Sequence, residues 1–258
     1  MDDLSLPVCP ASGCVVYSAV FGGYDSVSPI AEVHAGTIDS FILFTDDVDL
    51  SIEGWDIVYV GYKGLSPAEL NRAYKLNPGR FFPNAHTTVY VDGNIGVTIA
   101  GISLILNFFS DNRLDFLNMS HFARDSIFDE AEILLRSHRV NPFRLLREIY
   151  RSYRNIGKSG IKMGENNILV RNELAMEKIG DTWWRMYKIG SGRDQISLPV
   201  VLSQVNLSFG CFPMNVREID GFTYKEHSIF RDENVVIKIA RYSVFVLPYK
   251  FIRMVFRF

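Results

Sequence analysis

The chain has little of several things, and each shortage removes a class of protein. Its three cysteines (Cys9, Cys14, Cys211) form no CxxC and cannot all pair, which excludes a disulfide framework and a zinc knuckle and suits a reducing cytoplasm. A formal charge of −2 leaves no excess of either sign, so nucleic acid is not expected as a partner. No run approaches the roughly 18 uninterrupted apolar residues of a spanning helix; the nearest, IGVTIAGISLILNFF (95–109), is broken by Gly, Thr and Ser and reads as a core helix. MDDLSLPVCP is acidic and lacks the basic region of a signal peptide. Neither GxGxxG nor a Walker loop occurs, which removes the usual dinucleotide and P-loop sites. Internal repeats and low-complexity segments are also missing.

What is present is an ordinary globular composition, 48% hydrophobic and 22% charged over 258 residues. Short apolar runs alternate with turn-rich segments: CVVYSAVF (14–21), FILF (41–44) and WDIVYV (55–60) read as strands. SPAELNRAYKL (66–76) reads as a helix capped by Ser66 with Pro67 at its first position. TTVYV follows as a further strand, then the 95–109 helix, LDFLNMSH (114–121) as strand and RDSIFDEAEILLRSH (124–138) as helix. Asn141 opens another helix at Pro142, GIKMGENNILVRN is a loop entering a short strand, and a helix covers about 173–188. Strands mixed with helices predict an α/β sheet, in which ligands bind beyond the carboxyl ends of the strands. We expect one α/β domain over 1–225 and a basic, aromatic segment over 226–258.

The strand ends carry the chemistry. In VYVDGNI, Asp92 and Asn94 lie two apart, so an extended backbone would aim both at one Mg²⁺ or Mn²⁺; Asp-Gly after VYV equally suits a hairpin turn. In VFGGYDS, Gly23 lets backbone approach a ligand and Tyr24 can stack on a base, or the segment is a surface turn. Asp46 of FTDD can accept from ribose hydroxyls or remain a solvated loop charge. Arg72 and Lys75 share a helical face able to hold a diphosphate, or simply face solvent. His121 and Arg124 follow a strand end, where the His can orient a hydroxyl, bind metal or be structural. In SGRDQIS, Asp194 is a candidate helix N-cap.

Taken in order, VVYSAVFGGYD, FTDD, RAYK, VYVDGNI, HFARDSIFDEA, GENNILVRN and RDQIS resemble the plant-mucilage-type (TOD/MUCI-like) glycosyltransferase-like family, once catalogued as a domain of unknown function. The resemblance runs from about Val15 to Leu202 and implies a GT-A fold, a Rossmann-type mixed sheet flanked by helices that binds a nucleotide-sugar donor. It implies nucleotide contacts at Gly23, Tyr24 and Asp46, and Lys75 facing the diphosphate, with Arg72, His121, Arg124 and Arg193 also on the donor side. It further implies a divalent cation (Mn²⁺ or Mg²⁺) on Asp92 and Asn94 with His227 as third ligand, and Asp194 and Gln195 facing the donor sugar as the catalytic pair. The expected activity is sugar transfer to a glycan or lipid-linked acceptor in polysaccharide synthesis. A non-catalytic nucleotide-sugar or glycan-binding protein is the alternative, and a sugar-1-phosphate nucleotidyltransferase ranks below both. The tail KIARYSVFVLPYKFIRMVFRF (238–258), basic and aromatic, suits an anionic membrane surface or a packed C-terminal element. Cytoplasmic location, peripheral at the membrane, is the corresponding expectation.

Overall fold

The computed structural model describes residues 6–30, 36, 38–61, 64–124, 126–137, 140–156, 162–226 and 235–256. In chain order the elements are β1 (Ser12–Val20), β2 (Ser40–Thr45), β3 (Asp56–Tyr59), α1 (Pro67–Leu76), α2 (Pro78–Phe81), β4 (Asn84–Val91), β5 (Ile95–Val97), α3 (Ile99–Asp111) and β6 (Phe116–Ser120). There follow α4 (Ile127–Arg136), α5 (Pro142–Ile156), β7 (Gly164–Asn172), α6 (Glu173–Ile189), α7 (Asp194–Ser203), β8 (Phe209–Phe212), β9 (Phe222–Tyr224), α8 (Val235–Arg241), a π-helical turn (Tyr242–Val246) and α9 (Leu247–Phe256).

The chain forms two compact units interleaved in sequence. The first comprises Met1–Ser120, Glu165–Trp184 and Leu207–Ser228; the second His121–Gly164, Arg185–Asn206 and Ile229–Phe258.

The first unit is built on a seven-stranded mixed sheet of order β3-β2-β1-β4-β7-β6-β8, so the expected mixed α/β architecture is present. Strands β1 to β4 run parallel, and β7 pairs antiparallel with β4, Val91 facing Ile168. The central β1 is buried on both faces from Val15 to Val20, which is why CVVYSAV is a continuous apolar run and not an alternating one. Helix α1 starts as its sequence predicts. Ser66 and Glu69 form a reciprocal capping box, and Pro67 occupies the first turn, where no N–H is needed. Leu70, Ala73 and Tyr74 on its inner face are buried, and Tyr74 stacks on Phe44 at 4.0 Å between ring centroids.

Two local expectations change. The 95–109 segment is not all helix, because Ile95–Val97 pairs with β9 in a separate two-stranded ribbon, and α3 begins only after the Thr98 cap. Gly96 makes that pairing possible; a Cβ there would lie 2.3 Å from Thr223 Oγ1. The Asp-Gly turn is not a hairpin either. Ile95 N–H donates to Asp92 O at 2.9 Å, but β4 and β5, on either side of the turn, belong to different sheets.

The second unit is helical. Its core joins Phe128, Ala131, Leu135, Leu145, Ile149 and Ile196 with Val246 and Tyr249 of the C-terminal segment. Asn141 caps α5 as expected, its Oδ1 accepting from the N–H groups of Phe143 and Arg144 at 3.0 and 3.1 Å. Helix α7 is capped by Arg193, not Asp194; Asp194 is its first residue, and no side chain caps it. Residues 235–256 are helical throughout. A π turn, in which Leu247 N–H donates to Tyr242 O, falls just before Pro248 and absorbs the missing donor that argued against one continuous helix.

Candidate functional site

Because β1, β2 and β4 are parallel, their carboxyl ends share one edge of the first unit's sheet, and the antiparallel β7 brings its amino end to the same edge. Past β1, Gly22 and Gly23 adopt left-handed backbone (φ 66° and 61°), which a side chain resists. Gly22 also abuts Pro67, whereas the space beside Gly23 is open. Past β2, the Asp46 carboxylate accepts from Gly22 N–H through both oxygens at 2.9 and 3.0 Å, tying the two strand ends together. Tyr24 is half exposed beside them.

At the tip of β4 sits a polar network. Asp92 Oδ1 accepts from Lys75 Nζ at 3.0 Å and from the Tyr90 hydroxyl at 2.8 Å. Asn71 donates to the same Tyr90 oxygen at 3.1 Å and to Ala19 O at 2.6 Å, and its own Oδ1 accepts from Arg72. The spacing explains the assembly. Tyr90 and Asp92 are two apart at the end of a strand; Asn71 and Lys75 are four apart on α1. Lys75 is 2% exposed and Asp92 27%, so the carboxylate meets solvent while the ammonium lies beneath it, 4.9 Å from the Tyr90 ring centroid. Burial and the adjacent Asp92 charge hold the Tyr90 phenol well above its ordinary pKa, so it serves as a donor.

A second carboxylate flanks the first. Asp92 N–H donates to Asn167 O, Asn167 Nδ2 donates to Glu165 Oε2 at 2.7 Å, and Arg217 Nη1 reaches both Glu165 oxygens at 3.1 Å. Burial raises the Glu165 pKa, Arg217 opposes the rise, and the charge on Asp92 adds to it. Arg217 also covers the Tyr224 ring at 3.9 Å. Asn94 is anchored by its own partner. Its Nδ2 donates to Lys225 O at 2.8 Å, and its backbone O accepts from Lys225 N–H. The strand alternation that would converge the two side chains stops at Val91, where the turn begins.

As a cation site these residues offer one oxygen of Asp92 and the amide oxygen of Asn94. That is enough for a Mg²⁺ or Mn²⁺ whose other ligands are phosphate oxygens and water, and too little charge to hold one firmly without them. Among the described residues no three His, Cys, Asp or Glu side chains converge on a metal position, and His227 lies outside the described residues.

The second unit gathers the other candidates. His121 Nδ1 accepts from the N–H groups of Ala123 and Arg124 at 3.1 Å, and Arg124 Nη2 lies 3.1 Å from Nε2. The buried Glu130 pairs with Arg124 Nε at 2.8 Å and lies 3.8 Å from Arg193 Nη2. Asp194, 4% exposed, and Gln195 open α7 next to Arg193. Before them, Glu148 accepts from Ser191 N–H at 2.7 Å; its burial raises its pKa.

Asn71, Tyr90, Glu165 and Arg217 were missed in the sequence. Tyr90 and Asn71 were findable from their offsets to Asp92 and Lys75. Glu165 sits in GENNILV, whose Gly and Asn suggested loop where the chain forms a nine-residue strand.

The mixed α/β sheet gathers carboxylates, glycines and cations at its carboxyl edge, the edge at which ligands bind in open α/β sheets. The chain matches the TOD1/MUCI70 glycosyltransferase-like domain over residues 2–219, and it belongs to that family. Mouse xyloside xylosyltransferase 1, in its apo form, is similar to it with a TM-score of 0.46 and 8% identity, over 78% of this chain and 85% of that one. No curated protein sequence matches.

Proposed function

We propose that this protein transfers a sugar from a nucleoside-diphosphate donor to a glycan or lipid-linked acceptor, in a GT-A-type arrangement. Family membership supports glycosyl transfer in general, and one observation carries the specific reading: a solvent-facing Asp92 at the tip of β4, seated on a buried lysine and a phenol donor. A turn residue has no need of a buried ammonium beneath it. A preorganised carboxylate beside a diphosphate does.

In this reading Gly23 and Tyr24 take the base and ribose, with Asp46 fixing the Gly22 backbone that shapes their loop. Lys75 and Tyr90 fix the orientation of Asp92, and Arg72 acts through Asn71. A divalent cation, held by Asp92 and Asn94 when bound, supplies positive charge to the departing diphosphate. His121, Arg124 and Arg193, clustered around Glu130, serve the donor phosphates or sugar. Asp194 is the carboxylate for proton transfer or for stabilising charge on the sugar ring, and Gln195 faces the sugar beside it. Polysaccharide synthesis is the process we assign to it. Among the described residues no helix is long and apolar enough to cross a membrane.

The test is a thermal-shift screen of UDP-, GDP- and CDP-sugars with and without Mn²⁺. One donor should raise the melting temperature by mass action, by the equivalent of about 2.7 kcal/mol at a hundredfold excess over Kd. Absence of any shift from all three donors, in both metal conditions, overturns the reading.

A further inference from the structure

The net charge of −2 conceals a large separation. The second unit carries 18 Lys and Arg against 8 Asp and Glu, a formal +10, and the rest of the chain 9 against 21, or −12. Within that basic unit α5 presents Arg144, Arg147, Arg151 and Arg154 on its exposed side, spaced three, four and three residues apart and therefore along one face about 15 Å long. Their guanidinium groups make no ion pair among the described residues. Phe143 and Tyr150 lie exposed among them.

The C-terminal helix is the complement of this face. Three of its basic residues are engaged by the unit itself: Arg253 pairs with Asp129 at 2.8 Å, Lys250 with Glu132 at 3.3 Å, and Arg241 donates to the carbonyls of Leu135 and Ser137. Tyr249 donates its hydroxyl to Phe128 O at 3.0 Å and, with Val246, anchors the helix in the core. What remains outside is apolar. Val244, Leu247, Phe251, Met254 and Val255 are between 49% and 68% exposed and recur at helical spacing over about 16 Å. A monomer seldom leaves such a stripe bare. Phe245, next to the stripe, meets the exposed Phe143 edge-on at 5.6 Å, which places the start of the arginine helix beside the apolar face.

We propose that the second unit docks on an anionic lipid surface, the apolar face of 244–255 entering the acyl boundary and the α5 arginines holding the headgroups. A lipid surface alone satisfies both halves. Phosphodiester backbones would use the arginines but leave Leu247, Phe251 and Met254 against polar groups. A second copy would cover the apolar stripe but bring together two units of the same sign. The cations that matter in this proposal are thus on α5, while Arg241, Lys250 and Arg253 of the tail are engaged by α4 and its C-terminal cap. The inference is independent of the glycosyl-transfer reading, because nothing in its test involves a nucleotide.

The experiment is co-sedimentation of the full chain with phosphatidylcholine vesicles, with and without phosphatidylglycerol, at two salt concentrations. Binding should require the anionic lipid and weaken with salt. Changing the four arginines (Arg144, Arg147, Arg151, Arg154) to Gln should remove the preference for anionic lipid, at roughly fivefold per arginine. Phe251→Glu with Met254→Glu should abolish binding by at least about tenfold while the melting temperature holds, since both side chains already face water. Lys250→Gln, whose ammonium is paired, should change vesicle binding least. Equal binding to both vesicle types, or unchanged binding of the Phe251/Met254 variant, overturns the proposal. So does a vesicle-indifferent protein whose dimer dissociates in that variant, which would assign the face to a second copy.

Discussion

Lys75→Met removes the ammonium beneath Asp92 and keeps most of the buried stem. At 3.0 Å and an effective dielectric of about 20, the Lys75–Asp92 attraction is about 5 kcal/mol. Most of this is offset by desolvation of the lysine, and Asp92, a quarter exposed, recovers part of its hydration when the partner goes. The expected net loss is therefore about 1–2 kcal/mol, well below the 3–5 kcal/mol of a fully enclosed pair. Tyr90 still donates to Asp92 in the variant, so the carboxylate keeps one of its two fixing contacts. In the double variant Lys75→Met/Asp92→Asn no charge is left unpaired, and stability should return to within about 1 kcal/mol of wild type. Ligand affinity should not return, because on the proposed reading the charged carboxylate that Lys75 orients toward the donor is gone. Urea unfolding gives the first quantity and calorimetric titration with the donor found by thermal shift gives the second; affinity should fall by roughly tenfold or more in both variants. Donor affinity equal to wild type in Lys75→Met would refute the assignment of this pair to the donor site and leave it a structural ion pair.

Three further outcomes follow from the geometry. Glu148 has its folded pKa raised by burial, so the folded state binds more protons than the unfolded chain once the pH passes the unfolded value; stability is lost as pH rises from there through the folded pKa and the loss is then constant. Glu148→Gln should therefore gain melting temperature relative to wild type between about pH 4 and neutrality, and a constant difference across that range would contradict the sign. Arg171 is fully buried among Tyr17, Phe116 and Trp183, with no carboxylate partner among the described residues and with burial lowering its pKa, so Arg171→Met should be neutral or stabilising by about 1–3 kcal/mol in urea unfolding. Asp194→Asn should melt and bind donor like wild type while transfer slows by roughly two to four orders of magnitude; full turnover would leave the start of α7 a structural feature.

The parts of the fold that sequence made legible are those decided locally. Ser66 and Pro67 announce α1 because a cap and a pre-set φ need no distant partner, and the short apolar run CVVYSAV read as a strand, which it is. Asp92 stood out because a carboxylate ends an apolar strand there, although Asp-Gly suits a turn equally. What stayed hidden depended on long-range contacts. Gly96 belongs to a strand because Thr223 lies across from it, and the polar GENN opens a strand whose following residues, Ile168–Asn172, pair with β4 and whose other neighbour is β6. The tail's basic residues suggested cations for a partner, yet the acidic face of α4 pairs with two of them, Lys250 and Arg253. The charge separation was invisible because the two units interleave along the chain, so no window of sequence contains either one alone. At the candidate site Glu165 and Arg217 were not singled out from the sequence, while Asp92 and Lys75 were. Their fixing partners, Asn71 and Tyr90, were not singled out, since an amide on a helix and a phenol in a strand are ordinary until they meet.

The most direct test of the account is the initial rate of nucleoside-diphosphate release from the sugar donor that binds, compared between the wild-type protein and Asp92→Ala. The account predicts steady turnover by the wild type, and for Asp92→Ala loss of donor binding and turnover together in a protein still folded at the assay temperature, its melting temperature lowered because the buried Lys75 loses this carboxylate. Wild-type rates in Asp92→Ala would contradict it, as would a wild-type protein that binds the donor tightly and never turns it over.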